Sequence, residues 1–225
     1  MKLRFAFLLT LAPLLFSGCQ LGSDDANRRL KERAGNEAEQ VQIKEQEARE
    51  KIVTKMENDL RRRQRLYQSV KGAFNGELVL DGDRYSVFAE FVPSVIPFVD
   101  NSRVRTQDEV SEDIQKLSFD LRIVFRDLST KALLLNCASS GVRFDLDAGS
   151  MSWLSESSNC SNFFTLHLSS DEVGALSSGQ MREQSRSMTA ELLSGQISKV
   201  EQLVLGMRPG ALDEIFTIVL KRVEL

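Results

Sequence analysis

The spacing of apolar residues changes at Gly72, and this change constrains the fold more than any other feature of the sequence. Residues 26–70 contain no proline and one glycine, and their apolar side chains recur every three or four positions, as in a helix. After Gly72 apolar and polar residues alternate, which is typical of half-buried strands. The sequence therefore predicts a long N-terminal α-helix followed by a mainly β head, an antiparallel β-sandwich or a barrel-like domain.

The best-defined strands lie early in the head. Residues 74–80 and 85–91 flank Asp81-Gly82-Asp83, which is typical of a tight hairpin turn, and residues 117–125 alternate most regularly. Thr106 and Glu109 have the spacing of a capping box, so a short helix is expected over 107–114. Weaker expectations are strands at 132–137, 142–147, 151–154, 163–169, 192–193, 197–205 and 215–223, a helix starting at 170–172, and a loop or marginal helix over 177–188.

The N-terminus has the features of a targeting signal. Lys2 and Arg4 precede an apolar run of 12 residues, too short to cross a bilayer, which takes about 20 helical residues. The following Leu15-Phe16-Ser17-Gly18-Cys19 resembles the lipobox of bacterial lipoproteins. That resemblance implies cleavage before Cys19, acylation of Cys19 (palmitate among the chains) and a lipid anchor in the cell envelope. Gln20 in place of Asp favours the outer membrane. An ordinary signal peptide with an incidental cysteine is the alternative.

These patterns divide the chain into four segments. They are a signal peptide (1–18), a flexible tether (19–25), a charged helical stalk or weak coiled coil (26–71) and the antiparallel β domain (72–225). A continuous stalk of this length would reach roughly 65 to 70 Å, so we expect a spacer, with helix-mediated self-association as a further expectation. A chain that begins at Gly72 is expected to fold alone.

Charge is divided unevenly between the stalk and the head. Residues 24–71 hold 13 basic and 10 acidic side chains, whereas residues 72–225 hold 14 and 22, a net charge of −8. The basic excess is concentrated at Arg61, Arg62, Arg63 and Arg65. One interpretation is solvation and a favourable interaction with the negative end of the helix dipole. The other is a contact patch for phosphate-rich headgroups or an acidic surface. Nucleic acid is not an expected partner, because no binding motif accompanies the cluster.

Two cysteines remain once Cys19 is assigned to lipid. Cys137 and Cys160 flank two short strands joined at residues 147–150, and a hairpin of that form would bring them together. In an oxidising compartment their simplest use is a mutual disulfide. A metal or redox site is the alternative, although the chain has no C-x-x-C motif and no second histidine.

The chain offers few residues for catalysis. His167 is the only histidine and is expected on the outward face of a strand. The chain has no G-x-S-x-G and no Ser-x-x-Lys, and nothing indicates a cofactor or a metal. We therefore expect a non-enzymatic envelope lipoprotein whose spacer presents an acidic β domain to a protein or another envelope component. The alternative is a sandwich or barrel that binds a lipid or another small apolar ligand.

Overall fold

The structure, a computed structural model, describes residues 23–94, 105–157, 160–169, 177–209 and 216–224. These residues form three helices and nine strands, in the order α1 (Ser23–Val70), β1 (Gly72–Leu80), β2 (Asp83–Pro93), α2 (Gln107–Lys116), β3 (Phe119–Asp127), β4 (Leu133–Val142), β5 (Phe144–Asp145), β6 (Ser150–Ser157), β7 (Cys160–Ser169), α3 (Ser178–Ser194), β8 (Gln202–Pro209) and β9 (Phe216–Arg222).

The nine strands form one antiparallel sheet that is nearly closed into a barrel. Its order is β4-β3-β2-β1-β9-β8-β7-β6-β5, so strands that follow each other in the chain are neighbours, and β9 returns to pair with β1. Only Arg143 separates β4 from β5, although these strands occupy opposite ends of the order. The two edges of the sheet must therefore lie side by side. The predicted antiparallel head is confirmed, in its barrel-like form.

The hairpin between β1 and β2 forms where the turn residues predict it. Asp81 and Gly82 both have positive φ, 53° and 91°, the conformation of a two-residue hairpin turn that Asp and Gly adopt readily. Gly76 serves a different purpose, because a Cβ atom there would lie 2.3 Å from the carbonyl oxygen of Val219 on β9. The glycine allows β1 and β9 to approach each other closely.

The chain forms two compact units, residues 1–50 and 51–225. In the first unit, residues 24–50 are helical and exposed. The second unit begins 21 residues before the boundary that the sequence placed at Gly72, because the end of α1 belongs to the barrel core. Leu60, Leu66 and Val70 are buried there. Tyr67 stacks on Phe119, with ring centroids 4.4 Å apart.

Arg222 connects the end of α1 to the sheet through hydrogen bonds. Its guanidinium donates hydrogen bonds of 2.6 Å to the carbonyl oxygens of Ser69, Lys71 and Val200. It also lies over the ring of Phe74, 4.6 Å from the centroid. The last carbonyl groups of a helix have no hydrogen-bond partners within the helix. The Arg222 side chain therefore supplies hydrogen bonds that these carbonyl groups would otherwise lack when they are buried.

Helices α2 and α3 differ in how well the sequence anticipated them. The capping box of Thr106 and Glu109 is present, and α2 continues to Lys116 rather than residue 114. Of the two interpretations of 177–188, the loop is wrong and the helix is confirmed, although α3 is longer than expected, with 17 residues and its own capping box at Ser177 and Gln180. The strand expected at 192–193 is also wrong, since both residues belong to α3, and β8 begins only at Gln202. The helix start expected at 170–172 lies outside the described residues.

Candidate functional site

The two ends of the barrel are built differently. At one end α2 connects β2 to β3, α3 connects β7 to β8, and α1 leads into β1. At the other end β1 and β2 are joined by the Asp81–Gly82 turn, and β3 and β4 by a short turn at 128–132. We call this second end, between the two turns, the mouth. No described helix lies among these connections.

A cavity of about 270 Å³ opens at the mouth. Side chains from six strands contribute to its wall, because closure of the sheet brings β4 next to β6 and near β7. The apolar part of this wall consists of Leu78, Leu80, Tyr85, Phe125, Leu135 and Met207. Asn162 places a carboxamide in the same wall. The wall is therefore apolar with one amide that offers donors and an acceptor.

Apolar side chains also continue onto the surface beside the cavity. Leu133 and Leu134, the first residues of β4, are 52% and 54% exposed, and Leu134 borders the cavity. Exposed apolar groups next to an apolar cavity are typical of a binding site rather than of a plain solvated surface.

Carboxylates surround the polar edge of the mouth. Desolvation, followed by the charges of Asp83, Asp127 and Asp81, raises the pKa of Tyr85 above its usual value. Asp127 is firmly ionised, because hydrogen bonds from the Ser129 side chain and the Thr130 backbone lower the pKa of its carboxyl to about 2. The charges of the described residues therefore make the electrostatic potential at the Tyr85 hydroxyl negative.

The basic cluster predicted from the sequence lies away from the mouth. Arg61, Arg62 and Arg65 are exposed on α1, while Arg63 Nε donates to Asp59 at 2.7 Å. The last turn of α1 holds no basic residue, so the cluster lies too far from the helix end to gain much from the helix dipole. The exposure of these arginines agrees with the solvation part of the same interpretation.

The cluster also changes the charge of the head. Because residues 51–71 belong to the second unit, residues 51–225 hold 21 basic and 24 acidic side chains, a net charge of −3 rather than −8.

The three cysteines are described to different extents. Cys19 lies outside the described residues. Cys137 is buried on β4 and disulfide-bonded, whereas the side chain of Cys160, the first residue of β7, is not described. Across the closing edges, Ser155 Oγ donates to the carbonyl oxygen of Ala138 at 3.2 Å. This contact brings β6, and β7 beside it, next to β4. Pairing of Cys137 with Cys160 stays a prediction.

Replacing Cys137 and Cys160 by Ser together is expected to lower the free energy of unfolding by about 2 to 4 kcal/mol, with the fold retained, because the bridge closes a loop of about 24 residues. Chemical denaturation of both proteins measures the difference. Thiol titration of the denatured, unreduced wild-type chain tests the pairing directly. Free thiols at both positions would contradict it.

His167 lies on the face of β7 opposite the buried Leu166 and Leu168, as the sequence predicted, but it is not fully exposed. It is half-buried on β7, opposite Ser150 and Val204, and its Nδ1 is buried without a hydrogen-bond partner among the described residues. Burial, followed by the positive charge of Arg182 on α3, lowers the pKa of His167 below 6.5. This partial burial has a physical cause: α3, whose full length the sequence did not predict, packs against β7.

Acidification below about pH 6.5 is expected to destabilise the barrel through His167. Above that pH the histidine is neutral in both states and contributes nothing. Below it the unfolded chain binds a proton that the folded chain resists, so the free energy of unfolding falls. Melting temperatures at about pH 7.5 and 5.5 should drop more for the wild type than for His167→Gln. Equal drops would contradict the prediction.

The described residues include neither a metal-binding cluster nor a membrane-spanning helix. No three His, Cys, Asp or Glu side chains lie close enough together to hold a metal ion. None of the described helices is both long and apolar enough to span a bilayer.

The sequence did not reveal the mouth cavity. Leu78, Leu80 and Tyr85 were recognisable as strand residues, but the partners Leu135, Asn162 and Met207 reach them only through the topology. The chain matches no protein-family model, no curated protein and no solved structure.

Proposed function

We propose that this protein is a non-enzymatic, lipid-anchored envelope protein whose barrel binds an apolar ligand in the mouth. The mouth cavity carries the proposal: it is open to solvent, lined by apolar side chains from five strands, and free of described helices. The lipid anchor at Cys19 and the role of α1 as a spacer rest on the sequence pattern.

The free energy of such a site comes from apolar surface. Each Å² of apolar surface that a ligand removes from water contributes about 25 cal/mol. The remainder of the barrel interior is filled by its own side chains, among them Phe74, Phe91, Phe119 and Phe164, which are fully buried. A ligand therefore gains most binding free energy where apolar walls remain open at one end of the barrel.

The cavity size favours a slender ligand. Sites for drug-sized molecules span about 300–1,000 Å³, and the mouth, at about 270 Å³, lies just below that range. A single acyl chain or a small ring system would suit it. A complete two-chain lipid would not.

Filling the cavity tests the proposal. In the Cys19→Ser background, which removes the expected acyl chains, the neutral fluorescent probe N-phenyl-1-naphthylamine is expected to bind saturably. Leu80→Trp, which places an indole in the cavity wall, should weaken that binding about tenfold or more, a loss of about 1.4 kcal/mol.

Val79→Trp is the matched control, because Val79 is the adjacent residue of β1 and is 62% exposed. This variant should bind the probe like its background. Thermal melts verify that both variants are folded. Absence of saturable binding before substitution, or equal binding by both tryptophan variants, would reject the mouth as the site.

A second candidate function is docking of an envelope protein. Leu154 on β6 and Phe163 on β7 are directly opposite each other and are 53% and 41% exposed. Such a cross-strand apolar pair in solvent suits a protein contact. Crosslinking in intact envelopes, with and without Leu154→Ser and Phe163→Ser, tests it; unchanged crosslinks in the variants would exclude this surface.

A further inference from the structure

We propose that the mouth selects single-chain amphiphiles with a cationic head group over anionic ones of the same chain length. The inference rests on the proposed function, because it concerns the ligand of the same cavity. The apolar tail would occupy the cavity, and the head group would lie at the carboxylates of the β1–β2 and β3–β4 turns.

The position of these carboxylates supports the selection. Tyr85 contributes to the cavity wall, and its hydroxyl forms a hydrogen bond with Asp83. Asp127 is directly opposite Tyr85 in the pairing of β2 with β3. Asp81, in the hairpin turn, also acts on the same hydroxyl. Three negative charges therefore lie where the polar end of a bound amphiphile would emerge.

The basic residues on the strands and turns near the mouth, Arg84, Arg126, Lys131 and Arg208, do not offset these carboxylates at the Tyr85 hydroxyl. Arg84, its neighbour in sequence, forms an ion pair with Glu77 on β1. Lys131 lies in the β3–β4 turn and is exposed, and the charges that act on the Tyr85 hydroxyl among the described residues are all carboxylates. These carboxylates would repel an anionic head group and attract a cationic one.

The aromatic ring of Tyr85 offers a second contact for a cation. A quaternary ammonium near the face of a tyrosine ring is attracted by the quadrupole of the ring. The wall thus suits an apolar tail and its edge suits a positive charge.

Displacement of N-phenyl-1-naphthylamine by three ten-carbon amphiphiles, below their micelle concentrations, tests the selection. At about 0.01 M salt, decyltrimethylammonium should displace the probe at roughly five- to tenfold lower concentration than decanoate, with decanol between them. At about 1 M salt, where the screening length is about 3 Å, the difference should nearly vanish.

A charge-neutralised variant identifies the responsible residues. Asp81→Asn combined with Asp83→Asn should lower the cation preference several-fold, and Asn suits the positive φ of residue 81. The control combines Asp108→Asn with Glu112→Gln, which removes the same charge from exposed positions on α2, at the other end of the barrel. This control should keep the wild-type preference.

The outcomes separate the two proposals. Probe binding with equal displacement by decyltrimethylammonium and decanoate would overturn the charge selection and leave the apolar site standing. A preference that persists in the Asp81/Asp83 variant, or that the α2 control also loses, would likewise overturn it. No probe binding by the wild type would overturn both.

Discussion

A chain that begins at Gly72 is expected not to fold, whereas a chain that begins at Lys51 is expected to form the barrel. The shorter chain loses Leu60, Leu66, Tyr67 and Val70, all of which are buried. Burial of each such side chain contributes about 1.5–3 kcal/mol, so the loss, about 6–12 kcal/mol, is comparable with the entire stability of a domain, about 5–15 kcal/mol.

The loss of polar contacts lowers the stability of the chain from Gly72 further. Without α1, the backbone N–H of Phe144 loses the Tyr67 hydroxyl that accepts its hydrogen bond at 3.0 Å. Arg222 also loses the carbonyl oxygen of Ser69, one of the acceptors of its guanidinium. An unsatisfied buried polar group costs about 1–3 kcal/mol. This expectation replaces the one from sequence, in which the head folds from Gly72.

Circular dichroism and thermal melts of the two chains measure the effect. The chain from Lys51 should show a strand signal and one cooperative transition, and the chain from Gly72 neither. Within the full-length protein, Leu66→Ser should be strongly destabilised, while Arg62→Ser, at an exposed position of the same helix, should melt like the wild type. A cooperative melt of the Gly72 chain would show that the helix is dispensable.

Cys19→Ser is expected to release the protein from the membrane. If Cys19 carries acyl chains, each buried methylene contributes about 0.8 kcal/mol, and several chains together give stable attachment. The variant cannot be acylated at this position, so it should move from the membrane pellet to the periplasmic fraction. Cell fractionation with immunoblotting gives the measurement.

Cys137→Ser provides the matched control for this change. It removes a cysteine from β4 within the barrel and leaves the lipobox intact, so the protein should remain in the pellet. Continued membrane association of the Cys19→Ser variant would contradict the lipoprotein interpretation.

Local patterns were sufficient for most strands. Alternation over Phe119–Phe125 and the Asp81-Gly82 turn identified β3 and the first hairpin, because both depend on neighbours in sequence. The sequence left α3 undecided between a loop and a marginal helix, because its inner face carries Ser185 and Thr189 beside Met188 and Leu192. These hydroxyls are satisfied by backbone groups, such as the carbonyl oxygens of Gly149 and Ser185, so a polar sequence is buried without penalty.

The sequence by itself determined the element types and the antiparallel meander, since hydrophobic period and turn chemistry are local properties. Only the tertiary structure decided where the sheet closes, that residues 51–70 complete its core, and which strands line the mouth. Closure brings Leu135 and Met207 to the same cavity although 71 residues separate them. Contacts at such separations depend on packing against the whole barrel, and no local pattern encodes them.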